Sequence, residues 1–385
     1  MKIPDLSPDA AGAALAGLGV PTDVDMVDAY ARVWWTVLTE PGDGTAGDLI
    51  SRFGAAAALR LALADHDDEW SPARARWRPR ADVGAVRQAL DAGRRAGATL
   101  VGPADPRWPV RLDDLAVHAP HALWVRGDPG RLCDAPTVAI VGARAATPYG
   151  EAVAADLAAD LSDAGVTIVS GAAYGIDGAA HRAALSGGGR TIAFLAGGVD
   201  RAYPRGHEGL LARISASGSV VSETPCGAAP TKWRFLARNR LIASLADAVV
   251  VVEAGHRSGS LNTAAHAAQL GRALGAVPGP VTSAASAGSH RVLREFDGVC
   301  VTSAADVREM LGAAGESPPR AAGRTDDSSR LRDALSPRIG RGVGEIARRA
   351  GLSESETRTL LGFAELEGHV RREEDGLWRS AVPER

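Results

Sequence analysis

The pattern of apolar and polar positions divides the chain into regions of different texture. Up to about residue 80, apolar residues recur at spacings of three and four, as in AAGAALAGLGV, DAYARVWWTVL and AGDLISRFGAAAALRLALA, which predicts helices. From about 97 to 311 the pattern becomes short apolar runs between helical stretches. The runs are TLV, ALWV, VAIV, TIVS, TIAFLA, SVVSE, AVVVVEA, ALGAV and GVCVT. This alternation predicts an α/β fold, with a largely parallel sheet covered by helices on both faces.

The C-terminal part of the pattern predicts a separate small domain. Residues 312–331 are rich in Gly, Pro, Ser and Asp without periodicity, which is typical of an exposed linker. The following residues predict a short helix, a turn at Gly351, a second helix capped by Ser353, and two short strands around EDG. This order is typical of a winged helix. We therefore expect four segments, namely a helical domain 1–80, a sheet domain 81–311, a linker 312–331 and a winged helix 332–385.

Charge and composition narrow the possible functions. The net charge of -3 argues against a protein that coats nucleic acid by bulk electrostatics, so any site for a polyanion must be a local basic pocket. Lysine occurs only at Lys2 and Lys232, which draws attention to Lys232, although biased codon usage explains the same fact. The cysteines, Cys133, Cys226 and Cys300, are scattered without metal-ligand spacing, which predicts a reducing compartment and no structural zinc.

The N-terminal segment MKIPDLSPDA contains no apolar stretch of the kind found in a signal peptide. The longest apolar runs elsewhere, such as AVVVV, are far shorter than a membrane span. The default expectation is a cytoplasmic protein without a membrane partner.

Glycine corners at the ends of predicted strands form the first candidate site. In VAIVGARAATPYG the strand runs into Gly142, and a helix begins at Thr147 and Pro148. Free N–H groups at such a corner favour phosphate, and Arg144 adds a planar fork of donors, although a surface salt bridge is the alternative for Arg144. The motif is neither a dinucleotide fingerprint nor a P-loop, because G-x-G-x-x-G and G-K-[ST] are both absent.

A second corner follows the strand TIVS, where Ser170 and Gly171 are expected at the same edge of the sheet. Asp177 and His181 lie four residues apart on the next helix and share a face. An acid–base pair is possible there, but we favour a structural contact or helix capping. A third glycine turn, LAGGVDRAYPRG, is expected to shape this edge.

A further corner follows the strand AVVVVEA. Ser258, Gly259 and Ser260 present N–H and hydroxyl donors at the start of a helix that we expect Asn262 or Thr263 to cap, so they form another phosphate-sized cradle. Glu253 ends this strand, and a structural carboxylate is favoured there over a catalytic one. Ser289 follows one more glycine turn, in SAGSHRVLRE.

The helix KWRFLARNRLIASLA places cations next to a flat ring. Its spacing puts Arg234 and Arg238 on one stripe and Phe235 and Asn239 on the adjacent one. Single-stranded nucleic acid needs such a combination, because phosphates bind cations, an unstacked base lies on an aromatic ring, and an amide pairs with a base edge. Trp233 is the alternative stacking residue. A core position for Phe235, with Arg238 and Arg240 on the solvated surface, is the competing interpretation.

These elements, in this order, resemble the DNA-processing protein A (DprA/Smf) family. The matching text includes VAIVGAR, SGAAYGID, TIAFLAGGVDRAYP, ARNRLIASLAD, SGSLNTA and SAGSHRVLRE, and it covers roughly 100–311. The resemblance implies an extended Rossmann-like domain, with a helical SAM-like domain before it and a winged helix after it. It also implies binding of single-stranded DNA without sequence preference, a homodimer, loading of RecA recombinase in natural transformation, and neither catalysis nor a cofactor.

The resemblance also implies particular DNA-binding residues. Gly142 and Arg144 are similar to the family's phosphate-binding loop, and part of the helix falls in its basic pocket, namely Lys232, Phe235, Arg238, Asn239 and Arg240. Two departures put contacts in doubt. Ala143 replaces the usual serine and removes a hydroxyl donor, and Leu236 stands where proline is common.

Two other functional classes are weighed against DNA binding. Related Rossmann-like proteins of the lysine decarboxylase family cleave nucleoside monophosphates, but their P-G-G-x-G-T-x-x-E motif is not matched by EAGHRSGSLNTAAHA. That chemistry needs a placed carboxylate, for which Glu253, Glu223 and Asp177 are candidates. The third class is a protein-docking scaffold. The expected recognition helix favours it in part, because its carboxylates suit a phosphate backbone poorly: Glu354, Glu356, Glu365 and Glu367, against Arg358.

Overall fold

The computed structural model describes residues 4–65, 68–312, 327–366, 369–373 and 375–381. The chain divides into two compact units, Met1–Ala314 and Gly315–Arg385. Within the described residues, no helix has both the length and the apolar character that crossing a bilayer requires.

Helices form the N-terminal part of the first unit, and they continue past residue 80. Gly54, with φ 76°, separates two helices where the apolar pattern had predicted one continuous run, because this backbone conformation ends a helix. Asp25 and Asp43 cap the second and third helices with their carboxylates. The helices are α1 (Pro8–Leu15), α2 (Met26–Leu38), α3 (Gly44–Phe53), α4 (Ala55–Leu63), α5 (Ser71–Trp77) and α6 (Val83–Arg95).

The sheet has nine strands within the described residues, and each of the nine predicted apolar runs overlaps one of them. The strands are β1 (Thr99–Val101), β2 (Leu123–Gly127), β3 (Thr137–Val141), β4 (Thr167–Ser170), β5 (Thr191–Phe194), β6 (Ser219–Ser222), β7 (Ala248–Val251), β8 (Ala273–Ala276) and β9 (Val299–Cys300). Their order is β1-β2-β6-β5-β4-β3-β7-β8-β9. The pairings from β6 to β9 are parallel, and β1 and β2 add an antiparallel edge, so the predicted largely parallel sheet is confirmed.

Helices cover both faces of the sheet, as the α/β pattern predicts. Side chains of β3 alternate between the faces, with Ile140 in the cluster that includes α7 and α8 residues and Ala139 in the cluster that includes α10 and α11 residues. The helices of this region are α7 (Pro148–Asp163), α8 (Ile176–Ser186), α9 (Glu208–Ser217), α10 (Lys232–Leu245), α11 (Ser260–Gln269), α12 (Ala287–Glu295) and α13 (Ala304–Met310).

The N-terminal helices share a hydrophobic core with the sheet. Trp34, Trp35 and Leu59 belong to the same buried cluster as Trp124 of β2 and Val220 of β6. The two parts therefore form one compact unit, and the expected boundary between residues 80 and 81 does not divide it. The SAM-like assignment for the helical part stays a prediction.

The second unit contains α14 (Asp327–Ala334), α15 (Val343–Ala350) and α16 (Glu354–Leu366), followed by the antiparallel pair β10 (Val370–Arg372) and β11 (Trp378–Ser380). Gly351 is left-handed with φ 67°, and Ser353 and Glu356 cap each other at the start of α16. The predicted helix, turn, helix and hairpin are present. The winged-helix assignment itself stays a prediction.

The expected linker overlaps this second unit. Residues 313–326 lie outside the described residues. The helix α14 begins at Asp327, inside the range 312–331 that the composition predicts to be linker, because polar residues such as Asp327 and Arg330 are compatible with an exposed helix face.

Candidate nucleic-acid interface

A cavity of about 810 Å³ opens where the strand order reverses. The connection after β3 leads through α7 to β4, whereas the connection after β7 leads through α11 to β8 on the other side. The two loops diverge at their carboxyl ends and leave a crevice, which is where open α/β sheets bind ligands. Residues of both loops and of α10 line it, including Gly142, Ala143, Arg144, Asp177, Tyr203, Lys232, Phe235, Arg238, Asn239, Arg257, Ser258, Gly259 and Ser260.

Helix α10 lines the cavity from its exposed N-terminal turn to its buried middle. Thr231 caps the helix by accepting a hydrogen bond from the Arg234 amide at 3.3 Å. Lys232 in the first turn is exposed, Phe235 is half-buried, and Arg238 is buried. All three line the cavity, so one helix supplies cations at its mouth and at its floor with a ring between them.

Arg144, Phe235 and Tyr203 form a stack in the wall of the cavity. The Arg144 guanidinium carbon lies 4.5 Å from the centre of the Phe235 ring. The Tyr203 ring lies 5.3 Å from the Phe235 ring, at an interplanar angle of 52°. Arg144 has no carboxylate within 4.0 Å among the described residues, so the surface salt bridge considered for it is not found. The stack presents a positive charge next to two aromatic faces.

Arg238 is a buried cation without an ion pair. Its side chain is 5% exposed, and its Nη1 donates to the Phe194 carbonyl at 3.0 Å. No carboxylate lies within 4.0 Å of it among the described residues. Burial lowers the pKa of Arg238 to about 10, so it keeps its proton at neutral pH. The negative charge of Asp177 acts on Arg238 from beyond this distance and opposes the lowering of its pKa. Because a buried charge without a direct ion pair is costly, a bound anion in this cavity would offset part of that cost.

Gly171 makes room for this arginine. A Cβ added to Gly171 would lie 1.6 Å from the Arg238 Nη1 atom, so no larger residue fits without moving the guanidinium. The neighbouring Ala172 has φ 54°, a left-handed conformation that is unusual for alanine. Strain of this kind is concentrated at functional corners. Gly171, in the second predicted corner, therefore contributes to the site indirectly, because it leaves space for the Arg238 side chain.

Asp177 holds the same corner from the start of α8. Its Oδ2 accepts from the Gly171 amide at 3.1 Å and from the Ala173 amide at 3.4 Å. Burial raises the pKa of Asp177. His181 is bonded to the Thr191 hydroxyl at 2.7 Å, and burial lowers its pKa to about 3. The two side chains therefore have separate structural partners, so the Asp–His contact is not found. Helix capping is not found either, because Asp177 binds amides of the loop before α8 and the helix has no side-chain cap.

The loop after β7 is held to α10 by Asn239. The Asn239 Nδ2 donates to the Gly259 carbonyl at 3.1 Å, and the Ser258 and Ser260 hydroxyl oxygens lie 2.7 Å apart. Helix α11 begins at Ser260 with Gly259 as its N-cap, so the expected cap at Asn262 or Thr263 is wrong. The predicted cradle nevertheless lines the cavity at a helix N-terminus, where the peptide dipoles favour an anion.

Glu253 shapes the first corner and does not line the cavity. Its Oε2 accepts from the Thr147 amide at 2.8 Å and its Oε1 from the Thr147 hydroxyl at 2.7 Å. Its carbonyl accepts from the Ala143 amide at 2.7 Å. The structural role favoured for this carboxylate is confirmed, because both of its oxygens are used to fix the loop between β3 and α7.

Besides Gly171, three residues of the predicted site do not line the cavity. Ser170 donates to the Ile140 carbonyl at 2.6 Å and Ser289 to the Val252 carbonyl at 3.5 Å, and both serines are fully buried. The predicted placement of these two hydroxyls was wrong, because each side chain points into the layer between sheet and helix. Arg240 is the third.

Arg240 is bound to a different part of the protein. Its two terminal nitrogens pair with the Glu223 carboxylate at 2.5 and 2.6 Å, and its Nε donates to the His118 carbonyl at 3.0 Å. The prediction that Arg240 lies in the pocket with Arg238 was wrong. Two residues along a helix correspond to about 200° of rotation, so neighbours at that spacing point to opposite faces.

Two lining residues with a cationic or aromatic side chain were missed. Arg257 is exposed in the loop after β7, and Tyr203 reaches the cavity from the loop after β5. Both residues follow predicted strands at the carboxyl edge of the sheet. The sequence analysis considered only the glycines and serines of these loops, although the arginine and the tyrosine were also indications of a binding site.

Comparison with known proteins shows the family of this chain. The family model for DNA recombination-mediator protein A matches residues 99–312. A DNA processing protein DprA of Mycobacterium tuberculosis is 48% identical over 305 residues, which span 74% of this chain and 77% of that protein. The chain belongs to the DNA recombination-mediator protein A family. This membership gives it a role in DNA processing.

Further relatives and solved structures agree with the family. Protein Smf of Escherichia coli is 41% identical over 193 residues, 50% of this chain and 51% of that protein. The structure of DprA from Streptococcus pneumoniae is similar with a TM-score of 0.61 at 29% identity, over 75% of this chain and 98% of that one. The DprA structure from Helicobacter pylori, described for its single-stranded DNA binding mode, gives 0.50 at 30% identity over 54% and 94%.

Proposed function

We propose that this member of the family binds single-stranded DNA without sequence preference in the cavity at the reversal of strand order. The observation that carries the proposal is the buried, unpaired Arg238 at the floor of a cavity whose mouth holds Arg144, Lys232 and Arg257. A phosphate can satisfy these cations together with the N-terminus of α11. Of the predicted residues, Gly142, Phe235, Asn239, Ser258, Gly259 and Ser260 line the same cavity.

The rings in the cavity wall favour an unpaired strand over a duplex. Phe235 and Tyr203 offer aromatic faces directly beside Arg144. A base can stack on such a ring only when it has left its own neighbours, and stacking of this kind tolerates any base. Asn239 uses its amide hydrogens within the protein, which leaves little capacity for reading a base edge. Both features support binding that does not depend on sequence.

Hydrolysis of nucleotides is supported less well by the same geometry. Asp177 is the one carboxylate among the described residues that line the cavity, and its Oδ2 is already bound to two backbone amides. Glu253 is bound to Thr147 and Glu223 to Arg240. The three candidate carboxylates therefore do not converge, whereas glycosidic cleavage needs a placed acid or base. We propose a binding protein without catalytic activity of its own.

The finer role follows from the family resemblance. We propose that the protein acts as a homodimer in the cytoplasm, protects incoming single strands, and loads RecA recombinase onto them in natural transformation. The single-strand binding mode named for the Helicobacter pylori structure supports the single-strand part of this proposal.

Titration of labelled oligonucleotides tests the binding. We expect a single strand to bind more tightly than a duplex of the same length, and affinity to fall with salt at a log–log slope of about 0.7 per phosphate contacted. Strands of different base composition should bind with similar affinity. Fluorescence anisotropy at several salt concentrations measures both quantities. Equal affinity for single and double strands, or a slope near zero, would contradict the proposal, and release of free base from AMP would revive the hydrolase.

The C-terminal unit is expected to contribute little to this affinity. In α16, Arg358 pairs with Glu354 at 3.0 Å and Glu356 is bound by Ser353, whereas Glu367 lies outside the described residues. A chain that ends at Gly312 keeps every residue of the cavity, so its affinity for single strands should stay within about twofold of the full chain. Gel shifts of both chains with single strands and duplexes measure this. Loss of tight duplex binding on truncation would show that the C-terminal unit binds DNA.

A further inference from the structure

A second aromatic and cationic cluster lies directly beside the cavity. Ala173 and Tyr203 belong to the cavity wall, and Tyr174 follows Ala173 in the chain. Tyr174 is 49% exposed, so one face of its ring is open to solvent. The contacts that hold the Tyr174 ring lie on its other side, so its exposed face is available to a ligand.

Tyr174 is fixed on one side by the loop after β5. Its ring lies 4.8 Å from the ring of His207 in an edge-to-face arrangement. Its hydroxyl is packed against Gly206, where an added Cβ would lie 2.6 Å away. The His207 Nδ1 in turn donates to the Ala172 carbonyl at 2.9 Å. The ring is therefore positioned from behind, so a base that stacks on its outer face need not immobilise it.

Two arginines lie beside the residues that hold this ring. A Cβ added to Gly178 would lie 2.7 Å from His207 Cε1 and 3.1 Å from Arg182 Nη1, so the Arg182 guanidinium and the imidazole flank the same point on α8. Arg205 is exposed on the loop that holds Tyr174. Neither arginine has a carboxylate within 4.0 Å among the described residues, even though Glu208 lies nearby in the sequence. The charge of the cluster is complementary to phosphate.

We propose that Tyr174, Arg182 and Arg205 form an extension subsite for the same single strand after it leaves the cavity. The inference rests on the proposed function and adds a direction to it, because the strand would run across the carboxyl edge of the sheet from Phe235 past Tyr203 to Tyr174. One base stacks on Tyr174, and the flanking phosphates bind the two arginines.

A length series separates this subsite from the cavity. The probes are labelled oligothymidines from 3 to about 20 nucleotides, a range that spans the usual site sizes. We expect Tyr174→Ala to match the wild type on the shortest strands and to bind strands that reach the subsite about fivefold more weakly. Tyr174→Phe keeps the ring and should bind as the wild type does. Arg182→Ala should reduce the salt slope by about 0.7, on long strands alone.

Arg87→Ala is the matched control, since Arg87 is an exposed arginine on α6 outside the cavity. Tyr174→Ala affinities equal to the wild type at every length would overturn the proposal. An equal loss at every length would do so too, because it would place Tyr174 in the cavity site or in the fold. If Tyr174→Ala does not fold, Arg182→Ala decides alone. Failure of the cavity itself is recognised separately, by an Arg144→Ala variant that still binds the shortest strands normally.

Discussion

Arg144→Ala is expected to weaken the binding of single-stranded DNA by about 10- to 150-fold, because a charge-assisted contact contributes roughly 1.5–3 kcal/mol. Arg144 lies at the cavity mouth without an ion pair among the described residues, and it stacks on Phe235 at 4.5 Å. The loss should be similar for all sequences, and the salt slope should fall by about 0.7. Equilibrium titrations at several salt concentrations measure both changes.

Lys232→Ala serves as the second variant of the same test. Lys232 is exposed and forms no hydrogen bond or ion pair that stabilises the described structure, so its replacement should leave the free energy of unfolding within about 0.5 kcal/mol of the wild type. A lower affinity in this variant therefore reports the loss of a DNA contact. Arg87→Ala controls for the removal of one positive charge elsewhere. Wild-type affinity in both Arg144→Ala and Lys232→Ala would remove the cavity from the proposal.

Arg144→Lys distinguishes charge from shape at the same position. Lysine keeps the positive charge but lacks the planar guanidinium that lies on the Phe235 ring and can bind phosphate through two parallel hydrogen bonds. We expect an affinity between those of the wild type and Arg144→Ala, with a salt slope close to the wild type. This result would assign the difference to stacking and bidentate geometry.

The sheet was predictable because its strands are short, apolar and β-branched, and are separated by helices. Val249, Val250 and Val251 form a central strand that buries both of its faces, and such strands read as continuous apolar runs. The edge where the corners gather was predictable too, because parallel strands place their carboxyl ends together. The N-cap residue of the helix after β7 was not predictable, because Gly259, Asn262 and Thr263 are all acceptable N-cap residues by type.

The arginines of α10 show where prediction from sequence stops. The sequence does not distinguish a buried arginine from a surface one. Helical spacing had placed Arg238 on a stripe with Arg234, and the family resemblance had placed Arg240 in the same pocket. In the structure they are equally buried, at 5% exposure each. The two arginines differ in the residue that faces each of them. Gly171 leaves space for Arg238 beside the cavity, whereas Glu223, which follows β6, pairs with Arg240. Long-range pairing of this kind leaves no local signal.

Arg240→Ala is expected to lower the free energy of unfolding by about 3–5 kcal/mol, because it leaves the Glu223 carboxylate buried without its partner. The pair is bidentate at 2.5 and 2.6 Å, and both side chains are less than one-tenth exposed. The protein that remains folded should bind single strands with unchanged affinity, since Arg240 points away from the cavity. Urea denaturation and titration at low temperature measure the two quantities.

The double variant Arg240→Met with Glu223→Leu distinguishes two causes of the lost stability, namely an unpaired buried charge and the loss of packing contacts. If the destabilisation in Arg240→Ala comes from the unpaired carboxylate, replacing both partners with apolar side chains should restore most of the stability, as is common for buried ion pairs. The hydrogen bond from Arg240 Nε to the His118 carbonyl would stay unformed, at a cost of about 1 kcal/mol. A double variant as unstable as Arg240→Ala would instead assign the loss to packing around α10. A double variant that is stable but no longer binds DNA would return Arg240 to the binding site.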